Sequence, residues 1–234
     1  MSRLLAVASA KGSPGCTFVA VGLAACLAER GVTTLLIDAD AEEQGTAAYL
    51  DLPIGAATLK LASTRLGLDA AVIREACVPV RQRLSCVRAP ELEGLEGAEL
   101  AAGARSAAEA VVVDLGHRAG RLQRDLAGVS DWLVWVVVPD RLGLERADRA
   151  LARGELRAAS GGVVLNRLGS GCLKGAGSLI AERHRLPILA RIPDDRRAAA
   201  SARPFHSRRP FRQGLEELAR CLHPAFPRVR SAWP

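Results

Sequence analysis

Short apolar stretches alternate with longer helical patterns along most of the chain. The apolar stretches cover residues 3–9, 32–37, 84–89, 110–115, 132–138, 162–165 and 188–192. A continuous apolar run of this length is typical of a strand that is buried on both faces of a sheet. Strands that alternate with helices indicate a parallel sheet with helices on both sides. The pattern therefore predicts an α/β fold with a mostly parallel, twisted sheet.

The helical patterns fill the intervals between these stretches. They cover residues 17–30, 56–66, 68–76, 99–110, 118–128, 141–153, 172–184 and 211–222, with short helical pieces within 41–52 and at 198–202. Gly31 predicts the end of the first helix, as a C-terminal cap. No linker or internal repeat divides the chain, so we expect one domain over residues 1–222 and a flexible, proline-rich tail over 223–234.

The first strand leads into a loop of small residues with the sequence Lys11-Gly12-Ser13-Pro14-Gly15-Cys16-Thr17. A strand, a glycine-containing loop and a helix in this order form a phosphate-binding P-loop, in which backbone N–H groups and the helix N-terminus hold an anion. The usual pattern, G-x-x-x-x-G-K-[ST], has a lysine where this chain has Cys16. A thiol cannot replace an ammonium group, whereas Thr17 retains the hydroxyl that holds Mg²⁺ in such loops.

Two further predicted strands end in carboxylates. Asp38 and Asp40 follow the second strand, and Asp114 lies at the end of the 110–115 strand. Carboxylates beside a phosphate loop are the groups that hold Mg²⁺ and orient water. The alternative is that Asp38 or Asp40 only caps the next helix.

Composition restricts the classes of function further. The net charge of +7 and a pI near 9.6 allow binding to nucleic acid or anionic lipid, or reflect a biased composition on a solvated surface. The six cysteines form no C-x-x-C pair and no zinc-type cluster with histidine. We find no signal peptide and no apolar run of membrane-spanning length, and therefore expect a cytoplasmic protein with reduced thiols.

Taken together, these segments resemble the deviant Walker A family of P-loop ATPases, which contains MinD, ParA and CpaE/TadZ. The family's loop reads K-G-G-x-G-K-[ST]-[ST], and residues 11–18 follow it except at Ser13, Cys16 and Phe18. Lys11 matches the family's signature lysine, which reaches the partner's nucleotide across a dimer interface. The resemblance extends from Ser2 to Leu222.

The resemblance implies an ATP and Mg²⁺ site with the following roles. Lys11 and Asp40 are expected to be catalytic, Asp40 by positioning the attacking water. The metal is expected at Thr17, Asp38 and Asp114. The nucleotide is expected to contact Gly12, Ser13, Pro14, Gly15, Cys16, Thr17 and Phe18, with Asn166 at the adenine edge and Pro193 and Asp194 beside the base.

Within the family, the segments at 114–117 and 130–144 are closest in pattern to CpaE/TadZ and septum-site-determining proteins. This implies a homodimer with a protein partner from the division, pilus or secretion, or partition machinery. A related tyrosine kinase needs a tyrosine-rich tail, but the chain has one tyrosine. A nitrogenase reductase needs paired cluster-binding cysteines, which Cys77 and Cys86 do not clearly supply.

Three functional hypotheses follow. The first is a nucleotide-binding, dimerising switch with weak hydrolysis, and the second is a nucleotide-free pseudo-ATPase scaffold. The third is a ParA-like protein that binds nonspecific DNA, which the net charge and Arg208-Arg209 favour. Membrane attachment through the last helix is not expected, because its polar face carries Glu216 and Glu217. A separate hypothesis is that the helix N-terminus lowers the pKa of Cys16 and makes it an oxidant sensor; a small residue filling the lysine's space is the simpler alternative.

Overall fold

The computed structural model describes residues 2–12, 15–40, 45–53, 59, 67–89, 95–169, 171–173, 175–195 and 209–223. The strands are β1 (Arg3–Ser9), β2 (Thr34–Asp38), β3 (Val78–Arg81), β4 (Leu84–Arg88), β5 (Ala110–Asp114), β6 (Trp132–Val137), β7 (Ser160–Leu168) and β8 (Ile188–Pro193). The helices are α1 (Cys16–Glu29), α2 (Gly45–Tyr49), α3 (Ala70–Ala76), α4 (Gly97–Ala107), α5 (Arg121–Gly128), α6 (Arg141–Arg153), α7 (Ala176–Arg183) and α8 (Arg209–Leu222).

The strands form one sheet in the order β3-β4-β2-β5-β1-β6-β7-β8. Every neighbouring pair is parallel except β3 and β4. The predicted α/β fold is therefore confirmed. The sequence pattern missed β3, a four-residue edge strand that contains Pro79 and alternates half-buried with exposed residues. Proline argues against a strand in sequence reasoning, although edge strands tolerate it.

Successive residues of the central strands face two separate apolar cores. Leu5 and Val7 of β1 pack under α1 and α8, whereas Leu4 and Ala6 pack under the helices α3 to α7 of the opposite face. Burial on both faces explains why these strands read as continuous apolar runs rather than alternating ones. Helix α1 is itself buried almost all round, since it lies between the sheet and α8.

The topology creates a crevice at the carboxyl end of β1. The chain runs from β1 to the β2 side of the sheet, and later crosses from β5 to β6 on the other side of β1. In open α/β sheets, ligands bind at such switch points, beyond the carboxyl ends of the strands. The loop after β1 lies at this point.

Some predicted features fall outside the described residues. These are the helix at 56–66, the short helical piece at 198–202 and residues 224–234 of the predicted tail. His223, the first residue of that segment, is buried at the end of α8. Among the described residues, no helix combines the length and apolar character needed to cross a membrane.

Gly103 offers a test of the packing between α4 and the segment before α3. A Cβ atom at this position would lie 1.8 Å from the backbone oxygen of Leu68, which cannot move without shifting the chain. We expect Gly103→Ala to lower the free energy of unfolding by about 1–3 kcal/mol. Gly128→Ala is the control, because a Cβ there meets no atom within 4 Å. Urea denaturation would measure both, and equal midpoints for the two variants would contradict the packing described.

Candidate functional site

Helix α1 begins at the loop with its N-terminal backbone groups available to a ligand. Gly15 is the N-cap residue in the left-handed conformation (φ 88°), and no described side chain caps the helix. A Cβ atom at Gly15 would also lie 2.5 Å from Nδ2 of Asn166. Glycine is therefore required here both for its backbone conformation and for the close approach of β7. Uncapped N–H groups at a helix start suit an anion such as phosphate.

The Cys16 side chain points from the first turn of α1 to the end of β5. Its Sγ lies 3.2 Å from Oδ1 of Asp114 and 3.7 Å from the carbonyl oxygen of Gly116. Burial, and next the negative charge of Asp114, raise the pKa of the Cys16 thiol well above its ordinary value. The group is therefore a neutral thiol that donates to a carboxylate. This direction is opposite to the lowered pKa that the oxidant-sensor hypothesis needs.

Asp38 and Asp114 lie side by side on neighbouring strands. They are register partners of β2 and β5, and each is at most 2% exposed. Burial, and next the charge of Asp114, raise the pKa of Asp38 to about 7. Burial also raises the pKa of Asp114. The backbone N–H of Asp40 donates to Oδ1 of Asp38 at 3.2 Å, and the Asp40 carboxyl lies against Gly116, two residues after Asp114. All three carboxyl groups therefore meet at one edge of the sheet.

The carboxyl groups of Asp38, Asp40 and Asp114, called the acidic group below, supply some of the ligands that a cation site needs. Oδ2 of Asp114 is buried without a hydrogen-bond partner among the described residues. The Thr17 hydroxyl lies close enough to Asp114 to lower its pKa. Within the described part of the chain, no three His, Cys, Asp or Glu side chains form a metal-binding group. The residues thus fit a cation whose remaining ligands come from phosphate and water rather than from a protein cage.

Lys11 lies at the loop entrance and pairs within its own chain. Its Nζ is 3.5 Å from Oδ2 of Asp140, and the two side chains are 18% and 40% exposed. Asp140 in turn caps α6 by accepting a hydrogen bond from the Gly143 backbone N–H at 2.6 Å. The lysine is therefore anchored at the rim of the crevice, near the N-terminus of α6.

The Phe18 side chain faces away from the loop. Its ring makes edge-to-face contacts with Tyr49 and Phe211, with centroids 5.5 and 4.9 Å apart. Any contact of Phe18 with a bound nucleotide would therefore involve its backbone. Ser13 and Pro14 lie outside the described residues.

The remaining predicted residues lie along β7 and β8. The Asn166 amide approaches Gly15 as described above, on the α1 side of the sheet. Asp194 follows Pro193 at the end of β8, and its N–H donates to the carbonyl oxygen of Leu168 at 2.9 Å. A cavity of about 340 Å³ opens between β7, β8 and α7, and its wall includes Leu165 and Arg191. Leu165 belongs to the core of the opposite face from α1, and no described residue of the phosphate loop lines this cavity.

A family model confirms the resemblance to MinD and ParA. The CobQ/CobB/MinD/ParA nucleotide binding domain, CbiA, matches residues 5–204, well over half of the chain. The chain belongs to this family. No curated protein sequence matches it.

Three solved structures illustrate the similarity in fold. A ParA family ATPase from Chlorobium tepidum has a TM-score of 0.76 at 20% identity, over 93% of this chain and 97% of that chain. MinD from Pyrococcus horikoshii, solved with Mg-ADP, has a TM-score of 0.73 at 19% identity, over 96% and 97%. A putative plasmid partition protein from Borrelia burgdorferi, bound to AMPPNP, has a TM-score of 0.70 at 16% identity, over 93% and 97%. At these identities the likeness establishes the fold.

The structure of this MinD/ParA family member also reveals site residues that sequence reasoning missed. His117 lies beside the loop, with Cε1 of its ring 3.8 Å from the position a Cβ of Gly12 would take. Arg118 is exposed next to it, and both lower the pKa of Asp40 against the larger effect of burial. The only sequence signal was their position directly after the Asp114 strand.

Asp38 gives the protein a distinctive dependence of stability on pH. Because the native pKa is raised from 3.8 to about 7, this carboxyl favours folding most below its ordinary pKa and loses that contribution as the pH rises to about 7. We expect Asp38→Asn to be more stable than the wild type at pH 8, by about 2 kcal/mol or more, and the difference to shrink towards pH 4. Urea unfolding across pH 4–8, with the exposed Glu155→Gln as control, measures this. A difference that does not vary with pH would show that Asp38 is not a buried acid of this kind.

The burial of Cys16 predicts low thiol reactivity. Cys221 is exposed, whereas Cys16 is buried with a raised pKa. Alkylation by iodoacetamide requires the thiolate, so Cys16 should react slower than Cys221 by about tenfold or more. Mass spectrometry of a timed reaction on the folded protein would resolve the two sites. If Cys16 reacts as fast as Cys221, the buried thiol described here is incorrect.

Proposed function

We propose that this protein is an ATP- and Mg²⁺-binding, dimerising spatial switch of the MinD/ParA/CpaE type with weak hydrolysis. One observation supports the proposal above the others. At the switch point of the sheet, the uncapped start of α1 lies at the same edge as the carboxylates Asp38 and Asp114. This arrangement is present although Cys16 stands where a P-loop usually has a lysine. A fold kept only as a scaffold would not need the carboxyl groups of Asp38 and Asp114 buried side by side at a cost in stability.

The chain's own groups would divide the work as follows. Backbone N–H groups from Gly15 onward would hold the phosphates, because they are uncapped and point along the helix axis. Thr17, Asp38 and Asp114 would hold Mg²⁺, which neutralises phosphate charge when bound. Asp40, at the rim of the acidic group, would accept a proton from a water molecule and orient it.

Weak hydrolysis follows from the state of Cys16. A hydrogen bond from a charged group contributes about 1.5–3 kcal/mol, so loss of the lysine weakens ground-state binding by about tenfold to a hundredfold. The loss is larger in the transition state, where charge develops on the same phosphate oxygens. The thiol cannot compensate, because it is neutral and already donates to Asp114.

Dimerisation would use Lys11. Its side chain is partly exposed and held by the half-exposed Asp140 through a single long ion pair. Exchanging this contact for a partner's phosphate costs little, because exposed ion pairs of this kind contribute at most about 1 kcal/mol. The protein would then act in the cytoplasm with a partner from division, pilus or secretion, or partition machinery. Such partnership is seen in Aquifex aeolicus, where a MinC:MinD complex has been solved.

The second candidate function is a nucleotide-free scaffold. The Cys16–Asp114 contact favours it, since it occupies an oxygen that a metal site would use. A ParA-like protein that binds nonspecific DNA is the remaining alternative, favoured by the net charge of +7.

Calorimetry with Mg²⁺–ATP separates the nucleotide-binding switch from the nucleotide-free scaffold. We expect the wild type to bind weakly, Asp38→Ala to lose most of the Mg²⁺-dependent affinity, and Cys16→Lys to bind about tenfold to a hundredfold more tightly than the wild type. Cys26→Ala, at a buried thiol within α1 and away from the loop, is the control and should bind like the wild type. If neither the wild type nor Cys16→Lys binds at millimolar nucleotide, the switch is refuted; clear binding that Asp38→Ala abolishes refutes the scaffold.

A further inference from the structure

The loop of this family member lacks the positive charge usual at position 16, and two cationic side chains follow directly after β5, beside the loop. The His117 ring lies next to Gly12, with Cε1 3.8 Å from the position a Cβ of Gly12 would take. Arg118 is the next residue along the chain and is exposed. The segment after β5 therefore brings a histidine and an arginine to the edge of the crevice.

The segment that carries His117 and Arg118 is held firmly against the loop. The Ser9 N–H donates to the carbonyl oxygen of Gly116 at 2.9 Å, and the Ser9 hydroxyl donates to the carbonyl oxygen of Lys11 at 3.0 Å. The Gly116 N–H donates to Oδ1 of Asp114 at 3.1 Å. These bonds tie the end of β1, the loop entrance and the end of β5 to one another.

Gly116 brings this segment into contact with Asp40 as well. It has a left-handed backbone (φ 65°), and a Cβ atom there would lie 2.3 Å from Cγ of Asp40. The segment therefore contacts the proposed water-orienting carboxylate through Gly116 and the phosphate loop through His117, and the exposed Arg118 follows next in the chain. The distance from the His117 ring to the Gly12 position, 3.8 Å, is that of van der Waals contact.

Arg88 does not share this location. It is the register partner of Asp38 on β4, on the far side of β2 from β5 and β1. Its charge therefore acts on the acidic group from the β4 side, away from the loop. Lys11 is also directed elsewhere, to Asp140 at the N-terminus of α6.

We propose that Arg118, assisted by His117, replaces the missing loop lysine by binding the phosphates of the nucleotide from the β5 side. The inference rests on the proposed nucleotide-binding function. A guanidinium keeps its charge at every relevant pH and can donate two parallel hydrogen bonds to a phosphate. The imidazole N–H of His117, whose ring lies next to Gly12, adds a second hydrogen-bond donor. The cation that a P-loop usually has within the loop is thus replaced by cations on the segment after β5.

Titration of the full-length protein with Mg²⁺–ATP and with Mg²⁺–AMP tests this assignment. Arg118→Gln should weaken ATP binding by about tenfold, and His117→Ala by a smaller factor, with little change for AMP, because the lost contacts are to the outer phosphates. Arg121→Gln is the matched control. It removes an arginine three residues further on, which is exposed at the start of α5 and pairs with Glu96. Its ATP affinity should equal that of the wild type.

A double-mutant cycle provides the decisive comparison. In the Cys16→Lys background the loop has its own cation, so Arg118→Gln should cost less than about threefold in ATP affinity. An equal cost in both backgrounds, an equal loss for ATP and AMP, or wild-type affinity of Arg118→Gln would each overturn the assignment. Absence of nucleotide binding by the wild type and Cys16→Lys together would instead refute the proposed function itself, so the two failures are distinguishable.

Discussion

The contact between Cys16 and Asp114 is the interaction on which the rest of the site depends. It joins the first turn of α1 to the end of β5 through a buried 3.2 Å hydrogen bond, at the position where a P-loop normally has an ammonium group. The thiol satisfies one carboxylate oxygen without neutralising it. Burial, and next the charge of Asp114, raise the pKa of the neighbouring Asp38 carboxyl to about 7.

The charge balance of the crevice follows from this contact. Because position 16 carries no cation and Lys11 is paired with Asp140, the nearby positive charge comes from His117 and Arg118 after β5 and from Arg88 on β4. Hydrogen bonds from Ser9 and to Asp114 hold Gly116, the residue before His117, so the position of this segment is a property of the sheet edge. A nucleotide bound there would be held mainly by backbone N–H groups and by cations on the segment after β5, which favours binding over catalysis.

Sequence reasoning predicted the central sheet because strands buried on both faces leave an apolar run that is hard to mistake. It missed β3, whose proline and half-exposed residues resemble a loop. It also assigned Phe18 to the nucleotide by its place in the loop. The ring packs against Tyr49 and Phe211, residues 31 and 193 positions further along the chain, so that prediction now concerns the Phe18 backbone. The pKa of Cys16 is raised mainly by burial, which comes from elements distant in the sequence. The position of Cys16 at a helix N-terminus, which is all that the sequence shows, predicts a lowered pKa instead. Tertiary contacts, which a single sequence does not show, decided each of these points.

The central claim is that the crevice at the end of β1 still binds phosphate although Cys16 stands in the lysine position. A crystal structure grown with Mg²⁺ and a non-hydrolysable ATP analogue tests it most directly. The account predicts phosphates on the backbone N–H groups at the start of α1, with Cys16 still bonded to Asp114 and Arg118 turned towards the phosphate oxygens. An empty crevice at saturating analogue, or an analogue bound in the cavity beside α7 instead, would contradict it.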